Sequence, residues 1–439
     1  MKIPEEEVQS SEPSDHDSDD SEEHDSEELS EQDSEASSDH DSEESSDHES
    51  EPNEPMDHDS SDDQHDSDEE AEPEDFSSDS HFPKTYKIKD EQAVSLDNTY
   101  VLHLSALFEN NKIKLVAGLS DYQCVLYDVE QGLQKGITKK IHDGIITGIK
   151  LIDENLVYSS SLDGTIKLWD LRDMSKPSST FSDDTDGADQ LKPINCFGLS
   201  CDGKFIGAGS TLVDADAYVL FWDSRNPKVL GGYWETHIDD VTSIEFHPVK
   251  ANNMLSGSTD GLINLFDISA PNEDDALLNS FNVESSIRKL KWINIKNEDR
   301  IGCITDMETV QFWKTEDSSP YINFSRKLLG SAIYIRSSDN AYITDIHQSC
   351  FDENSNVVIL GGSNVQKGEY IKSLVLKEDK LESFSTFAEN KQIIRCSCFN
   401  NDTFITAGES GIISVWEETN EYVNKTQLKE RTTKFKPSD

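Results

Sequence analysis

The chain has 439 residues and a formal net charge of −51, from 38 Lys and Arg against 89 Asp and Glu. A charge of that sign excludes a nucleic-acid binder that works through a global basic footprint. No run of about 18 apolar residues is present to span a bilayer and the N-terminus lacks the basic and apolar regions of a signal peptide, so a soluble intracellular protein of the nucleus or cytoplasm, without a membrane partner, is expected.

Residues 1 to 80 hold 36 of the acidic residues and one basic residue, Lys2, a net of −35, whereas 81 to 439 carry a net of −16. From Ser10 to Ser80 near-copies recur, such as Ser14-Asp15-His16-Asp17 and Ser38-Asp39-His40-Asp41. Such a segment buries too little apolar surface to offset the chain entropy lost on ordering, and its like charges repel. Residues 1 to 80 are therefore expected to be disordered. Ser14, Ser38, Ser46, Ser60 and Ser67 each have an acid at the third following position, the spacing an acidophilic kinase uses. A phosphate at any of them would add negative charge. The segment reads either as a solubilising tail or as an electrostatic lure for a basic partner. Its six histidines lie beside carboxylates, but nothing fixes their geometry and no metal site is assigned.

Apolar residues begin to recur at His81-Phe82-Pro83, and the folded part is expected over 85 to 418, followed by a short, mildly basic tail at 419 to 439. Residues 155 to 170 read N-L-V-Y-S-S-S-L-D-G-T-I-K-L-W-D, and 252 to 267 read N-N-M-L-S-G-S-T-D-G-L-I-N-L-F-D. Asp-Gly suits a tight turn with positive φ, and Ile166 and Leu168 alternate with Lys167 as in a half-buried strand. Each unit thus contains a β-hairpin. Weaker copies fall on the same ruler, an aromatic six residues after the turn: Asp163 to Trp169, Asp216 to Trp222, Asp260 to Phe266 and Ser410 to Trp416. Tyr127 and Trp313 mark two more units, and a degenerate one around Leu376 makes seven.

A period of 40 to 50 residues ending in Trp-Asp resembles the WD-repeat β-propeller family, in which each unit forms a four-stranded blade. The resemblance implies an all-β fold, a seven-bladed WD-repeat β-propeller with a disordered acidic N-terminal tail. It also implies a structural tetrad: His142, Ser159, Asp163 and Trp169 in one unit, and His237, Ser256 and Asp260 in another, where Phe266 replaces Trp. Such groups satisfy one another inside a blade and are structural rather than catalytic. The stretch 214 to 268 is further similar to the WD repeat-containing protein 89 family. An open ring would expose a strand edge, so Thr85 to Lys89, T-Y-K-I-K, is expected to close the last blade, the one ending at Trp416.

The search for chemistry finds little. Gly207-Ala208-Gly209 lacks the third glycine of a nucleotide loop and is read as lying between strands. No G-x-S-x-G, H-E-x-x-H or CxxC motif is present, and the carboxylate pairs Asp239-Asp240 and Asp274-Asp275 are adjacent in sequence, in a loop or strand that gives no defined acid/base separation. The seven cysteines, spread along the chain, read as small buried apolar residues. No catalytic residue, cofactor or metal is assigned.

A binding ring remains. In the family, the turns before each first strand and those joining the second and third strands share one face that commonly binds peptides. Asp143, Asp214, Asp216, Asp239 and Asp240 fall in those turns, so that face is expected to prefer Lys/Arg-rich proteins, although turn geometry alone also favours acids there. Three functions follow. The first is a non-enzymatic scaffold for protein–protein interaction, a monomer within a larger complex. The second is a chaperone or escort of a highly basic client, a histone or ribosomal protein, using the acidic tail. The third, more distant, is an enzyme or a substrate receptor in a modifying complex.

Overall fold

The computed structural model describes residues 81 to 419, apart from 110–111, 131, 184, 186–190, 353–354, 378 and 401–402. The expected disorder of 1 to 80, its five candidate phosphoserines and the basic residues beyond 419 lie outside the described residues. Most of the described chain is strand, and its longest helix is Arg326–Ala332. No helix among the described residues is long and apolar enough to cross a membrane.

Five four-stranded sheets follow one another over 101–140, 146–181, 194–233, 241–282 and 287–324, each a meander of antiparallel strands. The turns explain the hairpins. Gly164 and Gly261, after Asp163 and Asp260, adopt φ of +81° and +84°, where a side chain is disfavoured. A Cβ at 164 would also lie 2.4 Å from that of Leu191. The second strand of each sheet is covered on both faces, and Leu156–Ser161 is buried from its second residue to its end.

The remaining strands form one eight-stranded sheet. Ala341–Asp352, Ser355–Ser363, Tyr370–Lys377 and Lys380–Phe387 run in order from one edge, Lys84–Ala93 comes next, and Ile412–Thr419, Thr403–Gly408 and Ile394–Asn400 complete it. Lys84–Ala93 pairs antiparallel with Ile412–Thr419 along its length and parallel with Lys380–Phe387 at Lys84 to Tyr86. It contains T-Y-K-I-K and stands beside the strand that carries Trp416, but is longer than the sequence suggested and serves two neighbours. Tyr86 anchors it, fully buried, with its ring 5.3 Å from that of Phe387 and 5.1 Å from that of Phe404.

The ring closes because the first strand, Val101–Glu109, packs against both Ile146–Leu151 and Ile394–Asn400. Apolar clusters fill the spaces between sheets, as where Val116, Cys124 and Leu126 of the first meet Ile149, Val157 and Trp169 of the second. A polar latch repeats beside them. Each innermost strand has a register shift near its start, as at Ile146/Gly148, Val241/Ser243 and Ile343/Asp345, which frees the next side chain to reach sideways. Thr147 Oγ1 donates to Ile194 O at 2.9 Å, Asn195 Nδ2 to Val241 O at 3.0 Å, Thr242 Oγ1 to Ile287 O at 2.6 Å and Arg288 Nη2 to Ile343 O at 2.8 Å. Each such bond contributes about 0.5–1.5 kcal/mol.

Three local expectations are corrected. Gly207-Ala208-Gly209 lies inside the strand Phe205–Ser210, because the neighbouring sheet approaches so closely that a Cβ at 209 would sit 2.4 Å from Val241 Cγ1. Asp274 and Asp275 belong to a helical turn, Glu273–Ala276, capped by Asn272, whose Oδ1 accepts from Asp275 N at 2.8 Å. Cys124, Cys196, Cys303 and Cys396 are buried and Cys398 half-buried, but Cys201 is exposed in a turn.

Candidate interaction site

The tetrad residues are brought together in both units. His142 Nδ1–H donates to Asp163 Oδ2 at 2.9 Å, the Ser159 hydroxyl donates to His142 Nε2 at 2.8 Å, and Trp169 Nε1–H donates to Ser159 Oγ at 3.2 Å. This tautomer gives every group a partner. Burial alone would raise the Asp163 pKa, but hydrogen bonds from His142, Thr165 and the Asp143 N–H outweigh it and hold the carboxyl below the usual range. In the second unit His237 lies 2.9 Å from Asp260 Oδ2 and 2.7 Å from Ser256 Oγ. Asn264, absent from the sequence reading, donates to Thr236 O at 2.8 Å and lies 3.3 Å from His237 Nε2.

Other sheets solve the same problem with different residues. Trp416 Nε1 donates to Thr406 Oγ1 at 2.8 Å, Trp313 Nε1 to Gln311 Oε1 at 3.1 Å and Trp222 Nε1 to Ser182 O at 3.3 Å. Gln392, before the innermost strand of the Trp416 unit, donates to Ile412 O at 2.7 Å and accepts from Ser410 N at 3.1 Å. These polar groups are engaged in hydrogen bonds that hold the strands and turns of the ring together.

Antiparallel register places the start of each first strand, the end of the second and the start of the third at one end of the ring, as Ile146, Ser161 and Ile166 show. Backbone bonds tie the two sets of turns there, Leu162 N to Ile145 O at 3.0 Å and Thr259 N to Asp240 O at 3.0 Å among them. Asp143, Asp214, Asp216, Asp239 and Asp240 all lie at this end, in three consecutive sheets. Asp143, Asp214 and Asp216 are exposed. Lys140 pairs with Asp143 at 3.0 Å and lowers its pKa, while Asp214, Asp216, Asp239 and Asp240 face no cation at ion-pair distance among the described residues. Asp240 Oδ1 accepts from Leu212 N at 2.7 Å, which ties neighbouring turns together, and Asp239 Oδ1 accepts from Asp240 N at 2.8 Å. Sequence reasoning missed what stands among the acids: Ile238 at 78% exposure and Met307 at 67%, with Tyr100, Ile145 and Leu212 also exposed.

No group of three or more metal-ligating side chains occurs among the described residues. A closed ring of antiparallel sheets with a turn-rich end is the architecture of a β-propeller, and the chain carries WD repeats. The family model for the WD domain, G-beta repeat, matches residues 137–170 and 229–267. The chain is 30% identical over 255 residues to the WD repeat-containing protein GTS1 of Arabidopsis thaliana, a match that spans 57% of this chain and 62% of that protein. It is 27% identical over 325 residues to an uncharacterized WD repeat-containing protein of Schizosaccharomyces pombe, across 67% of this chain and 95% of the relative. With the WD repeat-containing protein 89 homolog of Dictyostelium discoideum it shares 24% identity over 362 residues, 80% of this chain and 92% of the other.

Proposed function

We propose that the chain is a non-enzymatic scaffold, a seven-bladed ring that docks other proteins on its turn-bearing end and prefers Lys/Arg-rich segments. The count of seven rests on dividing the eight-stranded sheet at Lys84–Ala93, which gives every innermost strand a blade of its own. One observation carries the docking face: exposed Ile238, Leu212 and Ile145 share an end of the ring with Asp143, Asp214, Asp216 and Asp239. Apolar groups held in water are covered with gain when a partner arrives, and the surrounding carboxylates select a partner of positive charge. On this reading the protein is a monomer within a larger complex, in the nucleus or cytoplasm, and uses no cofactor.

Escort of a highly basic client has a separate observation in its favour, the net −35 of residues 1 to 80. Partners captured by the full chain are to be compared with those captured by Ile238→Asp and by a chain lacking 1 to 80. Loss of the same partners on Ile238→Asp supports the face, and undiminished capture removes it. Neutral partners held equally by the long and short chains rule out the escort.

A further inference from the structure

The innermost strands enclose a central channel of about 880 Å³, a volume within the range of small-ligand sites. Its charge is opposite to that of the rest of the protein. Lys150, Arg288, Lys289, Lys291 and Arg395 line it against the carboxylates Glu245, Glu308 and Asp345, a net of +2 inside a chain of net −51.

The register of the sheets sorts these groups into layers. Counting from the residue before each register shift, His103, Lys289 and Asp345 occupy the second position and Ser105, Lys150, Glu245, Lys291 and His347 the fourth. In the upper layers the cations are paired: Arg288 with Glu308 at 2.7 Å, Lys289 with Asp345 at 2.8 Å and Arg395 with Glu409. The lower layer has two lysines and one carboxylate. Lys291 pairs with Glu245, and among the described residues Lys150 has no ion-pair partner. Lys150 is exposed and lines the channel. The enclosing wall disfavours its charge, Glu245 opposes that, and Lys291 adds to it. An anion entering this layer would relieve that repulsion. Ser105 Oγ, which accepts from Leu151 N at 2.9 Å, keeps its own hydroxyl proton to donate.

We propose that the channel is a binding site for a small, multiply charged oxyanion, a phosphate ester or a polyphosphate, held between Lys150 and Lys291 with the Ser105 hydroxyl as a neutral donor. Multiple charge is required because two lysines of one layer face the site, and small size because strands of every sheet line the channel. The site is separate from the turn-bearing face and does not depend on the scaffold reading.

The test is calorimetric titration of the full chain with tripolyphosphate at low salt. Lys150→Met keeps the apolar stem and removes the charge, and Lys228→Met removes an exposed charge from an outer strand. Saturable one-to-one binding is expected, about tenfold weaker in Lys150→Met. Lys228→Met should titrate like the natural chain, and both variants should melt where it does without ligand. Absence of saturable binding, wild-type affinity in Lys150→Met, or equal weakening by both variants would overturn the assignment, the last because it would show general counterion attraction.

Discussion

Trp169 and Phe266 hold the same place in their sheets, paired in register with Val157 and Met254, but only Trp169 has an N–H to give. Its indole is fully engaged with Ser159, and the phenyl ring of Phe266 packs against Tyr233 at 5.0 Å instead. Trp169→Phe should therefore cost about 1–3 kcal/mol, since the buried Ser159 oxygen loses a donor without gaining water. Denaturant midpoints check this. An unchanged midpoint would mean that the indole bond contributes nothing to the fold.

That pair also shows what the sequence makes legible. Asp-Gly turns and the six-residue spacing to an aromatic are local, so the hairpins at 155–170 and 252–267 can be read directly. Asn264 could not be found that way, because its bond to Thr236 crosses the sheet. The channel was hidden for a related reason. Lys150, Glu245 and Lys291 are far apart in the chain and meet only when the ring closes. A signal was nonetheless present: I-T-G-I-K, V-T-S-I-E and I-R-K-L-K each put a charge four residues after the first apolar residue of an innermost strand, where a buried strand would carry none.

Closure gives the next expectation. Removing residues 1 to 80 leaves every described pairing intact, so the melting temperature should stay nearly constant. Removing 1 to 93 takes away Tyr86 and leaves the edges of Lys380–Phe387 and Ile412–Thr419 unpaired at once. That chain should aggregate or melt early, by scattering and calorimetry. Equal melting of the two would show that Lys84–Ala93 is dispensable.

Burial pushes the pKa of both channel histidines, His103 and His347, down to about 4. For His103 the Ile146 carbonyl opposes the shift and Lys289 adds to it, and for His347 Asp345 opposes it while Lys289 and Lys291 add to it. An unfolded histidine binds its proton near pH 6.5, so between about 6.5 and 4 the unfolded chain holds protons that the folded channel refuses. Stability from these groups is complete above that window and is lost as pH falls through it. The double variant His103→Gln, His347→Gln keeps a donor for the Ile146 carbonyl and for Ser397 but cannot titrate. Its melting temperature should fall less between pH 6.5 and 5 than that of the natural chain, a range above most carboxylate titrations. Parallel profiles would refute the assignment.

The docking face makes two separable contributions to binding. Asp143, Asp214 and Asp216 are exposed, so neutralising them to Asn should leave melting almost unchanged, whereas Asp240 also holds the Leu212 turn and is unsuited to the test. For a Lys/Arg-rich partner the triple variant should associate more slowly at low salt, because charge chiefly accelerates encounter. The difference should shrink as salt passes physiological strength, where the screening length is about 8 Å. Ile238→Ala acts by another route. It removes apolar surface that a bound partner would cover, so it should raise the off-rate by a factor that salt hardly alters. Surface plasmon resonance across a salt series separates the two. If the triple variant and Ile238→Ala respond to salt alike, the acids and the apolar residues are not parts of one docking face; if neither changes the kinetics, the partner binds elsewhere on the ring.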